Sequence, residues 1–209
     1  MKAVPPIVRE MEREMRKQYT DASDDECLKI VIEMQRFVNT MVSRGAARQE
    51  ILKEAARFIF HTFGFKEVAI CICGEKDKKF RYEGFLGLTR DAEQGYKQLA
   101  YDYNIVFDDD KYPGIKISKI TELMPAEMEP YEDGEENTYN RPTMIMAERR
   151  SASDMIDGDY YAIYLKTKGD EIIGWLELSA HKDGKFPSMK GIKGLELFAT
   201  VLATMVWHG

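Results

Sequence analysis

The chain has 209 residues, of which 44% are hydrophobic and 11% aromatic, and a formal net charge of -6. This length and apolar content fit one compact domain with helical additions, and they exclude a chain that is disordered throughout. The acidic balance disfavours nucleic acid and anionic membrane surfaces as main partners, because both attract basic patches. No stretch reaches the roughly eighteen consecutive apolar residues of a membrane span, and the start turns charged before a signal-peptide core could form, so we expect a cytoplasmic protein.

Two helices are predicted within residues 1–45. The first, over residues 6–19, carries a narrow apolar stripe. The second begins after Ser23, whose hydroxyl can form a capping box with Glu26, and Gly45 ends it. Its apolar side chains recur in steps of four and three, at Cys27, Val31, Met34, Val38 and Met41, and Ile30 and Phe37 widen the stripe. A stripe this wide packs on a helix of its own chain or of a second subunit.

A second unit, residues 46–209, begins with a third predicted helix, from about Ala47 to Phe63, which Gly64 ends. The periodicity then changes. A nearly continuous apolar run from Val68 to Cys73 predicts a strand buried on both faces, and a charged turn joins it to a strand at about Phe80 to Leu88. These two strands form a predicted hairpin.

The rest of the chain alternates helices with further strands. Residues 89–104 predict a helix capped by Thr89, and residues 105–157 predict a long irregular segment, which in a compact domain has a functional role or is mobile. A second hairpin is predicted from about residue 160 to residue 180, and a final helix from about residue 190 to residue 207. Helices, hairpin, helix, loop, hairpin and helix in this order indicate a mainly antiparallel sheet covered by helices, an α+β fold.

Residues 171–207 resemble the closing half of GAF domains, with the sequence EIIGWLELSAHKDGKFPSMKGIKGLELFATVLATMVW. Gly174 lies early in an apolar strand, Phe186 follows a turn, and an amphipathic helix closes the segment. Residues 47–73 resemble the opening half. The resemblance implies a central antiparallel sheet of five or six strands, with the first and last helices of the unit on one face and an N-terminal helical extension. It also implies a ligand pocket between the other face and residues 89–157.

The resemblance further implies a small-molecule sensor without a catalytic site, which acts through a partner protein or as a homodimer through its N-terminal helices. Tyrosines give a pocket rigid apolar walls with hydroxyl groups, and an arginine beside them can hold a carboxylate or phosphate at two points. Six residues are the candidate ligand contacts: Tyr96, Tyr103, Phe107, Tyr139, Arg141 and Trp175. The same tyrosines also suit a purely structural role. Ile173, Trp175 and Glu177 alternate along one strand, and the sequence leaves open whether their face meets the pocket or solvent.

The sequence carries no motif for nucleophilic catalysis and no compact metal-binding spacing, and it identifies neither the ligand nor a cofactor. A haem held by one Cys or His stays open. Cys27, Cys71 and Cys73 are expected as reduced thiols, and the last two face one side of a strand, a poor geometry for a disulfide. The acidic loop residue Glu135 is expected in solvent. Two alternatives to a sensor remain: an interaction module whose own side chains fill the pocket, and a thiol enzyme similar to free methionine sulfoxide reductases.

Overall fold

The computed structural model describes residues 26–108, 110–145 and 147–207. The predicted helix over residues 6–19 and the cap at Ser23 lie outside them. The described helices are α1 (Glu26–Arg44), α2 (Arg48–Phe63), α3 (Arg90–Gln98), α4 (Tyr103–Val106) and α5 (Met189–Trp207). The strands are β1 (Phe65–Cys73), β2 (Phe80–Leu86), β3 (Ile115–Lys116), β4 (Thr121–Met124), β5 (Tyr160–Lys166) and β6 (Ile172–His181).

The strands form one six-stranded sheet in the order β2-β1-β6-β5-β4-β3. Every neighbouring pair is antiparallel. The first and last long strands, β1 and β6, pair at its centre, with Val68 opposite Leu178 and Ile70 opposite Leu176. Residues 68 to 72 of β1 are all buried, as the continuous apolar run predicts for a strand covered on both faces. The α+β fold with an antiparallel sheet is therefore confirmed.

One face of the sheet is covered by α2 and α5, and α1 packs on these two helices, so that all three share one hydrophobic core with the sheet. Phe58 of α2 stacks on Phe198 of α5 with their ring centroids 4.4 Å apart, and Phe37 of α1 lies 5.5 and 5.3 Å from these two rings. Gly64 ends α2 at φ +75°, a conformation that glycine adopts without steric cost, and its N–H bonds the Phe60 carbonyl. The predicted placement of α2 and α5 on one face is confirmed.

The apolar stripe of α1 is narrower than predicted. Its buried side chains are Ile30, Met34, Phe37 and Met41. Val31, which the sequence placed on the packed face, is 45% exposed, and Cys27 is also exposed. The buried side chains of α1 pack against α2 and α5 of the same chain. The sequence had left open whether this stripe packs on a helix of its own chain or on a helix of a second subunit, and the structure shows the first arrangement.

The helix predicted over residues 89–104 ends early, at Gln98. Thr89 caps it as predicted, since its hydroxyl oxygen accepts a bond from the Ala92 N–H at 3.2 Å. Beyond the helix, Tyr101 exchanges two backbone hydrogen bonds with Phe80 of β2, at 2.9 and 3.0 Å. These bonds use backbone groups that a continuing helix would need, so the chain turns extended and forms only the single turn α4 afterwards.

The long segment predicted as irregular contains two short strands, β3 and β4, which complete the sheet. Leu123 of β4 pairs with Tyr161 of β5. With two and four residues these strands are too short for an alternating pattern to reveal them. The described part of the segment also contains 3-10 turns at Ala126–Met128, Glu135–Thr138 and Pro142–Met144.

A buried carboxylate fastens this segment to the start of β5. Asp159 has no exposed surface, and its side chain accepts bonds from the N–H groups of Ala126 and Ile156 at 3.0 and 2.8 Å. The guanidinium of Arg149 donates two further bonds to it, at 2.7 and 2.9 Å. Because every one of these partners lies in residues 126–156, Asp159 ties this part of the segment to the start of β5.

Candidate functional site

The second face of the sheet lies beneath α3 and the segments 99–114 and 125–139, which we together call the roof. Between the sheet and the roof is a cavity of about 60 Å³ that is partly open to solvent. Its walls include eight tyrosines, Trp175 and two carboxylates, Glu135 and Glu177. The cavity occupies the position that the sequence predicted, between the sheet and residues 89–157.

A bulge in β6 determines which side chains reach the cavity. Leu165 of β5 pairs with Gly174 and Lys166 pairs with Ile172, so Ile173 is an extra residue on β6. Ile173 packs in the core beneath the helices, whereas Trp175 packs in the separate cluster on the cavity side. The expectation that Ile173 shares a face with Trp175 and Glu177 is therefore wrong, because the extra residue breaks the alternation. Trp175 and Glu177 both line the cavity.

Glu177 forms the polar centre of the cavity floor. Its two carboxylate oxygens accept hydrogen bonds from the hydroxyls of Tyr82 and Tyr96. The indole N–H of Trp175 donates in turn to the Tyr82 hydroxyl oxygen at 3.3 Å. Burial raises the pKa of Glu177 above its ordinary value, and the nearby charge of Glu135 raises it further, while the tyrosine bonds act in the opposite direction.

Glu135 forms a second carboxylate centre, in the roof. One of its oxygens accepts bonds from the hydroxyls of Tyr101 and Tyr112 at 2.6 and 2.9 Å, and the other accepts from the Glu132 N–H at 2.9 Å. Burial raises the pKa of both tyrosines above their ordinary value, so their hydroxyls keep their protons and donate. Glu135 is half-buried and bonded, not free in solvent as the sequence suggested.

Two more tyrosines complete the wall near the roof. The Tyr160 hydroxyl donates to the Pro130 carbonyl at 3.0 Å. Tyr139 also lines the cavity, and burial raises its pKa well above the ordinary value. Its hydroxyl has no hydrogen-bond partner among the described residues, which leaves it available to a bound molecule.

The structure brings together half of the six predicted contacts. Tyr96, Tyr139 and Trp175 line the cavity. Tyr103 and Phe107 lie beside it, along a neighbouring surface depression, and Tyr103 is 52% exposed. Arg141 lies at the surface and bonds Asp157 at 2.6 Å, outside the cavity wall.

The sequence did not predict that several other residues line the cavity, chiefly Tyr82, Tyr160 and Glu135. Tyr82 and Tyr160 lie on strands, where their hydrophobic rings match the general pattern of a core. Only pairing of the strands reveals that they face the cavity. Glu177 had a detectable signal, since it lies two residues after Trp175 and thus on the same face.

In the part of the chain that the structure describes, no three His, Cys, Asp or Glu side chains lie close enough together to hold a metal ion. No described helix combines the length and apolar character needed to cross a bilayer. No disulfide joins Cys27, Cys71 and Cys73, and burial raises the pKa of Cys71 well above the ordinary thiol value.

No protein-family model matches the sequence, and none of the curated proteins is significantly similar to it. Solved structures, by contrast, match most of the chain. The GAF domain of an Acinetobacter phosphoenolpyruvate-protein phosphotransferase superimposes with a TM-score of 0.57 at 11% identity, covering 85% of this chain and 92% of that one. The GAF domain/HD domain protein from Geobacter sulfurreducens gives a TM-score of 0.56 at 10% identity, over 78% and 94% of the two chains. The chain has a GAF-like fold.

A third structure with this GAF-like fold is the chromophore-binding domain of a Stigmatella aurantiaca bacteriophytochrome. Its TM-score is 0.54 at 11% identity, and the match covers 90% of this chain and 62% of that one. Identities this low establish the GAF-like architecture alone. The chemistry of the cavity must therefore be inferred from the side chains of this chain.

Proposed function

We propose that this chain is a sensory module that binds a small organic molecule in the cavity under the roof and acts through a partner protein or a dimer. The observation that carries the proposal is the cavity itself. Its wall combines aromatic rings with a few polar groups, as the walls of ligand pockets do. The unbonded hydroxyl of Tyr139 adds a polar contact for a ligand.

The GAF-like fold supports this function by analogy only. The bacteriophytochrome domain that shares the fold binds a chromophore. In this chain Trp175 and Glu177 of β6 form the cavity floor, and the hydrogen bonds of Asp159 tie residues 126–156 to the start of β5. A preformed cavity of this kind reduces the ordering that a ligand must impose on binding.

The cavity also bears on the two alternatives. An interaction module without a ligand would have its pocket filled by its own side chains, and empty space under the roof argues against that arrangement. A thiol enzyme needs a thiolate as its nucleophile. Burial raises the pKa of both Cys71 and Cys73, and each therefore favours the protonated thiol. We propose a binding role without catalysis.

A blocked cavity provides the direct test. Ala162 lines the cavity, and Ala162→Leu adds three carbon atoms there. Ala100→Leu makes the same change at an exposed position next to α3 and serves as the matched control. We expect members of a metabolite library to raise the melting temperature of the wild type and of A100L but not of A162L, because a ligand at about one hundred times its dissociation constant adds about 2.7 kcal/mol. A library of neutral, anionic and cationic compounds that shifts no variant would contradict the proposal.

We also propose that the N-terminal helices, residues 1–45, form a homodimer. Beside its buried stripe, α1 exposes Leu28, Val31 and Val42, which recur at helical spacing, and Val42 is 68% exposed. We expect light scattering to show a dimer that Val31→Lys combined with Val42→Lys converts to a monomer. Glu33→Lys, which adds charge at another exposed position of α1, should leave the dimer intact. A wild-type monomer would contradict this part of the proposal.

A further inference from the structure

The cavity wall has an unusual balance of charge. Two carboxylates, Glu177 in the floor and Glu135 in the roof, belong to it. Neither forms an ion pair with a described residue, and no Lys, Arg or His side chain of the described chain lines the cavity. Buried charges in proteins are normally paired with an opposite charge. Tyrosine hydroxyls satisfy the hydrogen-bonding capacity of these carboxylates but do not neutralise their charge.

We propose that the ligand is a small organic cation, an amine or a quaternary ammonium compound, held between the aromatic wall and the carboxylates Glu177 and Glu135. This inference rests on the proposed function, since it names the chemical class of the molecule bound in the same cavity. The cation supplies the positive charge that the protein itself does not place there.

The aromatic rings favour the same ligand. The face of an aromatic ring carries negative electrostatic potential and attracts a desolvated cation, and tryptophan does so best. Trp175 lies at the centre of the wall, with its ring centroid 5.8 Å from that of Tyr82 and 6.1 Å from that of Tyr101. Several such rings around one cavity resemble the aromatic cages that bind quaternary ammonium groups.

The hydrogen bonds of the wall add a separate argument. The hydroxyl protons of Tyr82 and Tyr96 are committed to Glu177, and those of Tyr101 and Tyr112 are committed to Glu135. The Tyr160 proton is likewise committed to a backbone carbonyl, and the Trp175 N–H to the Tyr82 oxygen. The wall therefore offers a ligand mainly acceptor atoms and ring faces. Such a surface suits a donor or a positive charge and opposes an anion.

The positions of the basic side chains argue against an anionic ligand, which Arg141 had suggested. The guanidinium of Arg141 is 63% exposed and bonds Asp157 at the surface. Lys111 lies in the roof, but outside the cavity wall, and is bonded to Glu132. An anionic ligand would therefore lie beside two carboxylates with no cation in the wall, at a high electrostatic cost.

The test compares cations with neutral molecules of the same shape, using isothermal titration calorimetry on the full chain. Choline is paired with 3,3-dimethyl-1-butanol, and benzylamine with benzyl alcohol. We expect at least one cation to bind about tenfold or more tightly than its neutral partner, as desolvated cation–π and carboxylate contacts predict. Glu177→Gln should reduce that advantage about tenfold, and Glu135→Gln provides a second variant in the roof.

Glu122→Gln is the matched control. Glu122 also accepts a tyrosine hydroxyl bond, from Tyr164 at 2.8 Å, but it lies outside the cavity wall. Its replacement should change cation affinity by less than about twofold, because this half-buried carboxylate does not line the cavity and solvent screens its charge. Equal or tighter binding of the neutral partners, or unchanged cation affinity in both cavity variants, would overturn the cation inference. A neutral or anionic library compound that binds in an Ala162→Leu-sensitive way, while no cation binds, would overturn it too and leave the proposed function standing.

Discussion

Replacing Glu177 by Gln should change how the stability of the ligand-free protein depends on pH. Burial raises the pKa of Glu177 above its ordinary value of 4.5, so the folded protein binds this proton more tightly than the unfolded chain does. The contribution of Glu177 to stability is therefore complete at pH values below 4.5 and declines as the pH rises through the raised pKa. Glutamine has the same shape without the titrating proton, and E177Q should lack this decline.

The size of the effect follows from proton linkage. One proton changes the free energy of unfolding by at most about 1.4 kcal/mol per pH unit within the window between the two pKa values. From pH 5 to pH 8, we expect the stability of E177Q relative to the wild type to increase, within the limit that this slope sets. Its amide also accepts a bond from one tyrosine and donates to the other, so the packing of Tyr82 and Tyr96 is retained.

Urea unfolding at pH 5 and pH 8, followed by circular dichroism, measures this difference. Glu122→Gln, which removes a carboxylate from an outer strand of the same sheet, corrects for the general loss of one negative charge. The reasoning is refuted if E177Q and the wild type differ by the same amount at both pH values, or if E177Q gains relative stability at pH 5 instead.

Three further substitutions test the framework around the cavity. Phe198→Ala removes a ring with no exposed surface, and urea titration should show that the free energy of unfolding falls by about 3–5 kcal/mol. For Phe198→Leu we expect a fall of about 1.5 kcal/mol or less. Equal losses in the two variants would contradict the packing of the helical layer. Gly174→Ala would place a methyl group onto the backbone carbonyl of Cys71 in the neighbouring strand β1. Calorimetry should therefore show that the free energy of unfolding falls by about 2 kcal/mol or more. An unchanged melting temperature would contradict the β1–β6 register. Arg149→Ala leaves the buried carboxylate of Asp159 without its cation, so we expect the free energy of unfolding to fall by about 3–5 kcal/mol. Backbone amides of the roof should also exchange their hydrogens faster. Faster exchange in α5 alone would contradict the anchoring role of Asp159.

Elements with a strong local signal were predictable from the sequence. The spacing of apolar residues in α2, followed by Gly64, predicted the helix to within one residue of its observed start. The apolar run of β1 and the turn at residues 168–170 predicted the central strands and the second hairpin. These patterns are informative because a helix or strand that packs on a core needs its apolar face whatever its neighbours are.

The remaining elements depend on contacts between distant residues. The end of α3 is set by the bonds of Tyr101 to Phe80, and no residue between Gln98 and Tyr101 is a proline or glycine that would mark a stop. The short strand β4 owes its conformation to pairing with β5. Propensity calculated along the chain does not contain such information, since the tertiary pairing overrides it.

The candidate site shows the same division. An aromatic-rich segment near a long loop singled out Tyr96 and Tyr139, and the structure places both in the cavity wall together with Trp175 of the floor strand. The orientation of Ile173 depended on the bulge in β6, which exists only relative to β5. Arg141 was proposed from its closeness to Tyr139 in sequence, but Asp157, 16 residues further along the chain, holds it at the surface.

The central claim is that a ligand binds between the sheet and the roof, and not within the helical layer. Methyl-labelled alanines report on both places, because Ala162 lines the cavity while Ala199 of α5 lies in the core beneath the helices. An NMR titration with the compound that gives the largest thermal shift should move the Ala162 methyl resonance and leave that of Ala199 in place. A shift of Ala199 with a stationary Ala162 would contradict the account.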